Sequence, residues 1–244
     1  MWTAAFRMVA HEGRMTYHTL QIEHGGGMLA TVWLNRPGQY NVLDSRMLDE
    51  LIAVFAELGA IAQLRAIVLA ARGPQFCLGI DPDWRQQLLA NAADRCGAEA
   101  RLAALLQAIH ACAVPVVAKV QGDCHGAGTG LVAACDIALA AGHAGFRLPE
   151  LQPDMQPDVA PVAHIPWVAQ AMGARATRRY LLTAERFSAF EAKQFGLVHE
   201  AVAADALDER ADAIVAALLQ ADRKKVFGDV IWNKVNKPTG SPAA

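Results

Sequence analysis

The sequence predicts an α/β protein in which strands alternate with helices as repeated βαβ units, followed by a C-terminal helical region. Short apolar runs typical of buried strands alternate with amphipathic or alanine-rich stretches typical of helices. The 244 residues, 54% of them hydrophobic, suffice for one large domain with a sizeable core. We assign residues 15–200 to this core, residues 201–244 to a helical extension of the same domain, and residues 1–14 to a disordered lead-in.

The first half of the chain contains three predicted strands and two predicted helical regions. "YHTLQIEHGGGMLATVWLNRP" alternates apolar and polar residues around three glycines, which predicts a β-hairpin. "NVLDSRMLDELIAVFAELGA" predicts an amphipathic helix that Asp44 or Ser45 caps and Gly59 ends. "LRAIVLAARG" predicts a buried strand. Residues 84–112 predict an alanine- and leucine-rich helix with an irregularity near Gly97.

The second half of the chain continues the alternation. "VPVVAKVQG" predicts a strand, which a glycine-rich turn and a helix of small residues follow, and "IALAAG" predicts the next strand. Five prolines from Pro149 to Pro166 predict a series of turns. "WVAQAMGARATRRYLLTAERFSAFEAKQFGLVHEAV" predicts short helices separated by turns, and the tail from Ala204 to about Val235 predicts helix.

Composition and charge argue against several classes of protein. The net charge is -2 and the pI is near 6.4, without the basic excess of a nucleic-acid or membrane-surface binder. The sequence has no run of about 18 apolar residues and no secretory signal at its start. Five scattered cysteines without a CxxC motif predict reduced thiols. We therefore expect a cytoplasmic protein with no nucleic-acid partner, no membrane association and no metal site.

Two glycine-containing turns that follow predicted strands are the first candidates for a site. "FCLGID" contains Gly79 and Ile80, and "HGAGTG", residues 125–130, begins a helix. Each turn could present one backbone N–H group to the same oxygen atom, which is what an oxyanion hole requires. Each turn alone is also ordinary structure. A dinucleotide-binding GxGxxG motif is disfavoured because Leu131 stands where the third glycine would be.

Glu150 in "FRLPELQPD" is the candidate proton carrier. Pro149 fixes the backbone before it, and the apolar residues on both sides suit a group that takes up and releases a proton. A surface or helix-capping glutamate is the structural alternative. His125 in the glycine turn is a second candidate for the acid, and Asp123 a third. We expect Asp81 to cap the turn that follows it.

Taken together and in this order, five stretches resemble the crotonase, or enoyl-CoA hydratase/isomerase, family. They cover roughly residues 17–235 and read "LNRPGQYNVL", "FCLGID", "VQGDCHGAGTGLVAACDIALA", "FRLPEL" and "AMGARATRRYLLTAERFSAFEAKQFGLVHEAV". The resemblance implies a crotonase-like spiral of βαβ units that assembles as a homotrimer or a dimer of trimers. It also implies an acyl thioester substrate and no cofactor, since the acyl group is carried on the phosphopantetheine of an acyl carrier protein or on CoA.

The resemblance assigns roles residue by residue. The backbone N–H groups of Ile80 and Ala127 would form the oxyanion hole, and Glu150 would be the catalytic acid and base. Hydratases of the family carry another glutamate at the position of Gly130, so this chain lacks one of two acids. The remaining candidates for substrate binding are the glycines of the two turns and the cations that could meet a distal carboxylate: Gly79, Gly126, Gly128, Gly130, Arg85, Arg147 and His164.

Glycine at position 130 is a feature shared with the dehydratases of polyketide β-branching cassettes, which act on 3-hydroxy-3-methylglutaryl groups carried on an acyl carrier protein. "AGTGLVAACDIALA" resembles their "GGLGFVSATDIAIA", and the basic "DRKKVFGDVIWNKVN" resembles their last helix. The likeness implies dehydration to a 3-methylglutaconyl thioester by one glutamate, with an acyl carrier protein as partner. Two alternatives stay open: a catabolic hydratase of methylglutaconyl-CoA, and a catalytically silent partner protein with this fold.

Overall fold

A six-stranded sheet lies at the centre of the computed structural model, which describes residues 17–152 and 161–220. The strands within the described residues are β1 (Leu20–Gly25), β2 (Leu29–Leu34), β3 (Ala66–Ala71), β4 (Val116–Val120), β5 (Cys124–His125), β6 (Ile137–Ala141), β7 (Gly145–Arg147), β8 (Phe187–Ser188) and β9 (Glu200–Val202). The strand order of the six-stranded sheet is β1-β2-β3-β4-β6-β9; β1 and β2 pair antiparallel and every other neighbouring pair is parallel. This arrangement confirms the hairpin and the parallel βαβ units.

Helices connect the strands and cover the sheet. Asp44 caps α1 by accepting a hydrogen bond from the backbone N–H of Met47, and Asp81 caps α2 in the same way, as predicted. The α-helices within the described residues are α1 (Ser45–Ala60), α2 (Pro82–Leu89), α3 (Ala92–His110), α4 (Ala127–Ala134), α5 (Ile165–Met172), α6 (Ala174–Thr183), α7 (Ala189–Phe195) and α8 (Leu207–Gln220).

Two predicted helix boundaries are wrong. Helix α1 runs past Gly59, which does not end it. The break within residues 84–112 falls at Asn91 rather than near Gly97, because the Asn91 side chain accepts a hydrogen bond from the N–H of Ala93 and begins a new helix. Gly97 lies inside that helix, where no neighbouring atom restricts it.

The second sheet is small and escaped prediction. Its order is β5-β7-β8, with β5 and β7 parallel and β7 and β8 antiparallel. Strands of two or three residues are too short to show an alternating pattern. This sheet matters for the site, because β5 leads into Gly126 and β7 leads towards Glu150, so the carboxyl ends of two parallel neighbours meet at one edge. The N–H of Gly126 donates to the carbonyl of Arg147, 2.9 Å away, at that edge.

The main core lies between the six-stranded sheet and helices α1 and α3. Alternate residues of β3 face its two sides: Ile67 and Leu69 point into this core, whereas Val68 packs with Val215 of α8 on the opposite side. Helix α8, the described part of the predicted C-terminal extension, therefore covers the outer face of the sheet. The predicted lead-in and the basic C-terminal stretch lie outside the described residues.

Within the described residues, we find no helix with the length and apolar character needed to cross a membrane.

All five cysteines fall among the described residues and are free thiols. Burial raises the pKa of Cys77 to about 12 and that of Cys124 well above its ordinary value, so neither thiol is an available nucleophile.

Candidate active site

The structure brings the two glycine turns together. The N–H of His125 donates to the carbonyl of Cys77 (2.9 Å), which ties "FCLGID" to β5. A Cβ atom built on Gly79, whose φ is +91°, would lie 3.1 Å from the carbonyl oxygen of His125 and 3.8 Å from the nitrogen of Ala127. The first turn therefore runs directly over the start of α4, and only glycine permits both the backbone angle and this close approach.

The two predicted donors lie on either side of this contact. Gly79 and Asp81 form the hydrogen bonds of a parallel bridge to Leu43, at 2.7 and 2.9 Å, so the N–H of Ile80 between them points away from that bridge. Ala127 is the first residue of α4, whose N-cap Gly126 offers no side chain. The N–H of Ala127 is one of the donors at the helix N-terminus that have no acceptor within the helix. Both groups are thus available to an acceptor, as an oxyanion hole requires.

Glu150 lies buried against the same turn. Glu150 follows Leu148 and Pro149, which come directly after β7, and all three residues are buried. A Cβ atom on Gly126 would lie 2.5 Å from the carboxyl oxygen Oε1, so the absence of a side chain at Gly126 makes room for the carboxyl group. The structure therefore places the carboxyl group of the first candidate proton carrier beside the residue that precedes Ala127.

His164 is the partner of Glu150, a relationship that sequence reasoning missed. Its Nε2 lies 2.8 Å from Oε1 of Glu150, and only 1% of the histidine side chain and 6% of the glutamate side chain are exposed. The sequence offered His164 as a cation for a distal carboxylate, whereas the structure places its Nε2 on Glu150. The available signal was a histidine in the apolar stretch "VAHIPW" at the start of a helix; no spacing rule linked it to Glu150 across the proline-rich segment.

The glycines of α4 allow close packing. A side chain at Gly130 would collide with the Cβ atom of His164, and one at Gly128 would collide with the carbonyl of Cys77. Both positions are fully enclosed. The space that a side chain at position 130 would need is thus taken by the Cβ atom of His164, the residue that immediately precedes α5.

Three other candidate residues lie in or next to the small sheet. Burial is the largest of the effects on His125 and lowers its pKa, which keeps the imidazole neutral near pH 7. Asp123 accepts hydrogen bonds from Arg186 and from the N–H of Gly145, a structural role between β5 and β7. Arg147 is exposed and its Nε donates to the carbonyl of Ala184 (2.7 Å).

Arg85 lies on the helix that follows the turn containing Ile80. It lies on α2, which begins two residues after Ile80, and it is half-buried. Of the two arginines predicted to bind substrate, Arg85 is the one that lies on a helix next to a predicted oxyanion donor, the N–H of Ile80. Arg147 is instead the last residue of β7, and it is exposed.

Comparison with known proteins identifies the family of this chain. The family described as Enoyl-CoA hydratase/isomerase matches residues 25–231. The chain belongs to this family. A probable enoyl-CoA hydratase of Rhodobacter capsulatus is 36% identical over 192 residues, covering 77% of this chain and 70% of that protein. The crystal structure of an enoyl-CoA hydratase from Shewanella pealeana superposes with a TM-score of 0.81 at 31% identity, over 90% of this chain and 79% of that one.

Members of the enoyl-CoA hydratase/isomerase family that resemble this chain do not all share one reaction. A Mycobacterium tuberculosis relative is named as the hydrolase of (7aS)-7a-methyl-1,5-dioxo-2,3,5,6,7,7a-hexahydro-1H-indene-carboxyl-CoA, at 31% identity over 76% of this chain and 72% of that protein. Family membership therefore supports a crotonase-like fold and an enzyme of the hydratase and isomerase type. The particular reaction has to be argued from the residues of the site.

Proposed function

We propose that this protein is a hydro-lyase that removes water from a 3-hydroxyacyl thioester, with Glu150 as the one carboxyl group that moves protons. The observation that carries the proposal is the placement of Glu150, buried against the turn that precedes Ala127, while position 130 has no side chain. The substrate we propose is the 3-hydroxy-3-methylglutaryl group on an acyl carrier protein, and the product its 3-methylglutaconyl thioester.

The first requirement of the reaction is that the α-carbon of the substrate can lose a proton, which places negative charge on the thioester oxygen. With the thioester carbonyl between the N–H groups of Ile80 and Ala127, negative charge that develops on its oxygen meets two fixed donors. Loss of one such donor in other enzymes costs about 3 kcal/mol of transition-state stabilisation. Because both donors belong to the backbone, the side chains of Ile80 and Ala127 are free to shape the acyl pocket.

Glu150 then carries out both proton transfers. Its carboxylate removes the α-proton, and the resulting acid returns that proton to the β-hydroxyl group as the C–O bond breaks and water leaves. The α C–H bond and the β C–O bond are lost, the C=C bond forms, and Glu150 ends as a carboxylate. One residue suffices if both groups leave from the same face of the substrate, which accounts for a site with no acid at position 130.

The distal carboxylate of the proposed substrate requires a cation. We assign this role to Arg85, because it is half-buried on the helix that continues from the turn containing Ile80. Arg147 is less suited, because its side chain is exposed at the end of β7.

Hydration of an enoyl-CoA is the second candidate function. It uses the same atoms in the reverse direction, and it differs in the carrier of the acyl group. Several relatives support it by name, among them the probable enoyl-CoA hydratase of Rhodobacter capsulatus. The choice between an acyl carrier protein and CoA is therefore the main point that experiment has to decide.

Mass spectrometry of the acyl group tests the proposal. The purified protein is incubated with 3-hydroxy-3-methylglutaryl loaded on an acyl carrier protein and, separately, on CoA, and loss of one water is followed with time. We expect rapid loss on the carrier protein and slow or no loss on CoA. Loss mainly on CoA would assign the enoyl-CoA reaction instead, and no loss on either would refute the proposed dehydration.

A matched pair of variants assigns the role of Glu150. Glu150→Gln keeps the shape of the side chain and removes its ability to exchange a proton, so we expect turnover to fall by at least about 100-fold. Glu209→Gln makes the same change at an exposed position of α8 and should leave turnover unchanged. Near wild-type turnover in a folded Glu150→Gln protein would refute the role.

A further inference from the structure

We propose that His164 is a positioning residue for Glu150 that takes the place of the missing side chain at position 130. Its Nε2–H donates to Oε1 of Glu150 and thereby presents Oε2 to the substrate. The inference rests on the proposed function in one respect, namely that Glu150 moves the protons. It does not depend on which carrier holds the acyl group.

Space is the first argument. Helix α4 approaches α5 so closely at Gly130 that even a Cβ atom there would collide with the Cβ atom of His164. A larger side chain at position 130 and the present position of His164 exclude each other. Glycine at position 130 therefore allows the imidazole of His164 to reach Glu150. The two residues depend on each other, because His164 can hold its present position only while position 130 has no side chain.

The anchoring of His164 is the second argument. It stands immediately before α5, and its carbonyl accepts the hydrogen bond of Val168 at 3.0 Å, so its backbone is fixed by the helix. Its side chain makes no capping bond to that helix. Instead Nε2 lies 2.8 Å from Glu150. A buried imidazole on a fixed backbone holds a carboxyl group in a single orientation, which is what a proton carrier needs.

The remaining polar atoms of the pair are the third argument. Oε2 of Glu150 and Nδ1 of His164 are buried, and neither has a hydrogen-bond partner in the described part of the chain. A buried polar pair that served stability alone would be matched or surpassed by apolar residues, and unpaired buried atoms add a further cost. Buried polar atoms left in this way call for a functional explanation. We assign Oε2 to the proton transfers.

The pair behaves consistently through the proposed reaction. In the proposed arrangement, the Nε2–H of His164 donates to Oε1 of the Glu150 carboxylate before the reaction. When Oε2 takes the α-proton, Oε1 becomes the carbonyl oxygen of a neutral acid and still accepts the same hydrogen bond. When Oε2–H returns its proton to the leaving hydroxyl group, the carboxylate is restored. His164 keeps its proton throughout, so the step needs no further acid or base.

Kinetics of His164 variants give the first test, with the thioester on which the wild-type protein is most active. We expect His164→Ala to lower kcat on the order of 100-fold with KM changed only a few-fold. His164→Gln, whose amide can still donate, should keep more activity, and added imidazole should restore part of the activity of His164→Ala. His143→Ala, at an exposed position, is the control and should match the wild type. A folded His164→Ala protein with wild-type kcat would overturn the proposal.

NMR of the histidine side chains gives a test that does not need turnover. We expect a hydrogen-bonded Nε2–H resonance of His164 that is lost in Glu150→Ala and that shifts when butyryl-CoA, a thioester with no group to eliminate, is added. A resonance that depends on Glu150 but is unmoved by butyryl-CoA would reduce the pair to a structural contact and overturn the proposal. If the wild-type protein dehydrates no thioester but this resonance responds as expected, the proposed function fails and the pairing at the acyl site stands.

Discussion

The Cβ atom of His164 lies only 2.3 Å from where a Cβ atom on Gly130 would be. Helices α4 and α5 pack against each other at this point, and both residues are fully buried. The contact couples positions 130 and 164, because any side chain at position 130 would require His164 to move. It also makes a glycine in a helix interior, which ordinarily weakens a helix, the better residue here.

Gly130→Ala should destabilise the protein even though alanine is the stronger helix former. The new methyl group would displace α5 or His164, and overpacking of this kind costs about 1–3 kcal/mol. Because His164 would move away from Glu150, we also expect turnover to fall. Urea denaturation gives the free energy of unfolding, and the assay of water loss gives the turnover.

Gly97→Ala is the matched control for that change. Gly97 lies inside α3, and a Cβ atom there would meet no atom within 4 Å. Alanine at this position should stabilise the protein by up to about 1 kcal/mol through helix propensity alone. If both variants shifted stability in the same direction, the contact between Gly130 and His164 would not be the cause.

Gly126→Ala should disable the site more strongly than it destabilises the fold. Gly126 has φ of +50°, and its Cβ atom would lie 2.5 Å from Oε1 of Glu150. We expect a backbone cost of about 1–3 kcal/mol, together with a loss of turnover of about 100-fold because the carboxyl group is displaced. Stability and turnover are measured on the same preparation.

Gly27→Ala separates backbone strain from displacement of Glu150. Gly27 lies in the hairpin turn with φ of +77°, and no atom lies within 4 Å of where its Cβ would be. The substitution should cost stability through strain, with turnover unchanged. Equal losses of turnover in the two variants would show that strain, rather than the contact with Glu150, is responsible.

Much of the fold could be predicted from local pattern. The hairpin, the buried strands β3, β4 and β6, and the caps Asp44 and Asp81 follow from side-chain periodicity and from the hydrogen bonds that short polar side chains offer a helix start. The strands β5, β7, β8 and β9 could not be found in this way, because pairs of two or three residues form only where the rest of the fold brings them together. Gly59 is not the last residue of α1, which ends one residue later at Ala60.

The candidate site was predictable only in part. The turns around Gly79 and Gly126 and the acid Glu150 are marked in the sequence by their residue types and order. The contact of Glu150 with His164 depends on how α4 and α5 cross, and nothing local reports it. An absent side chain at Gly130 was visible, but the group that fills its space could be identified only from the packing.

Asp123 should contribute stability at neutral pH that is lost in acid. Burial raises the pKa of this carboxyl group, but the hydrogen bonds from Arg186 and from the N–H of Gly145 outweigh burial, and the pKa is lowered overall from its ordinary 3.8. A lowered pKa means that the stabilisation is complete above about pH 4 and is lost as the pH falls through the folded value. We expect Asp123→Asn to lose about 1 kcal/mol near pH 7, and the difference from wild type to shrink below pH 4 in urea denaturation.

A second ion pair provides the comparison. Arg179 and Glu185 form an ion pair in which both side chains are largely exposed, and it ties together no strands of the small sheet. Glu185→Gln should therefore have the smaller effect on stability. An Asp123→Asn protein whose deficit stayed constant from pH 7 to pH 3 would contradict the assignment of the deficit to the ionised carboxylate.

His125 should make the protein less stable as the pH falls below about 6.5. Burial lowers its pKa; Arg147 and Arg186 act in the same direction, and Asp123 and Glu150 oppose them. Since the unfolded chain holds this proton at higher pH than the folded chain does, the stabilisation is present above the ordinary pKa of 6.5 and declines as the pH falls towards the folded value. His125→Gln cannot take up the proton, so the free energy of unfolding of the wild type should fall more steeply than that of the variant. The difference between the two proteins cancels the contributions of the other histidines, and parallel curves from pH 8 to pH 5 would refute the prediction.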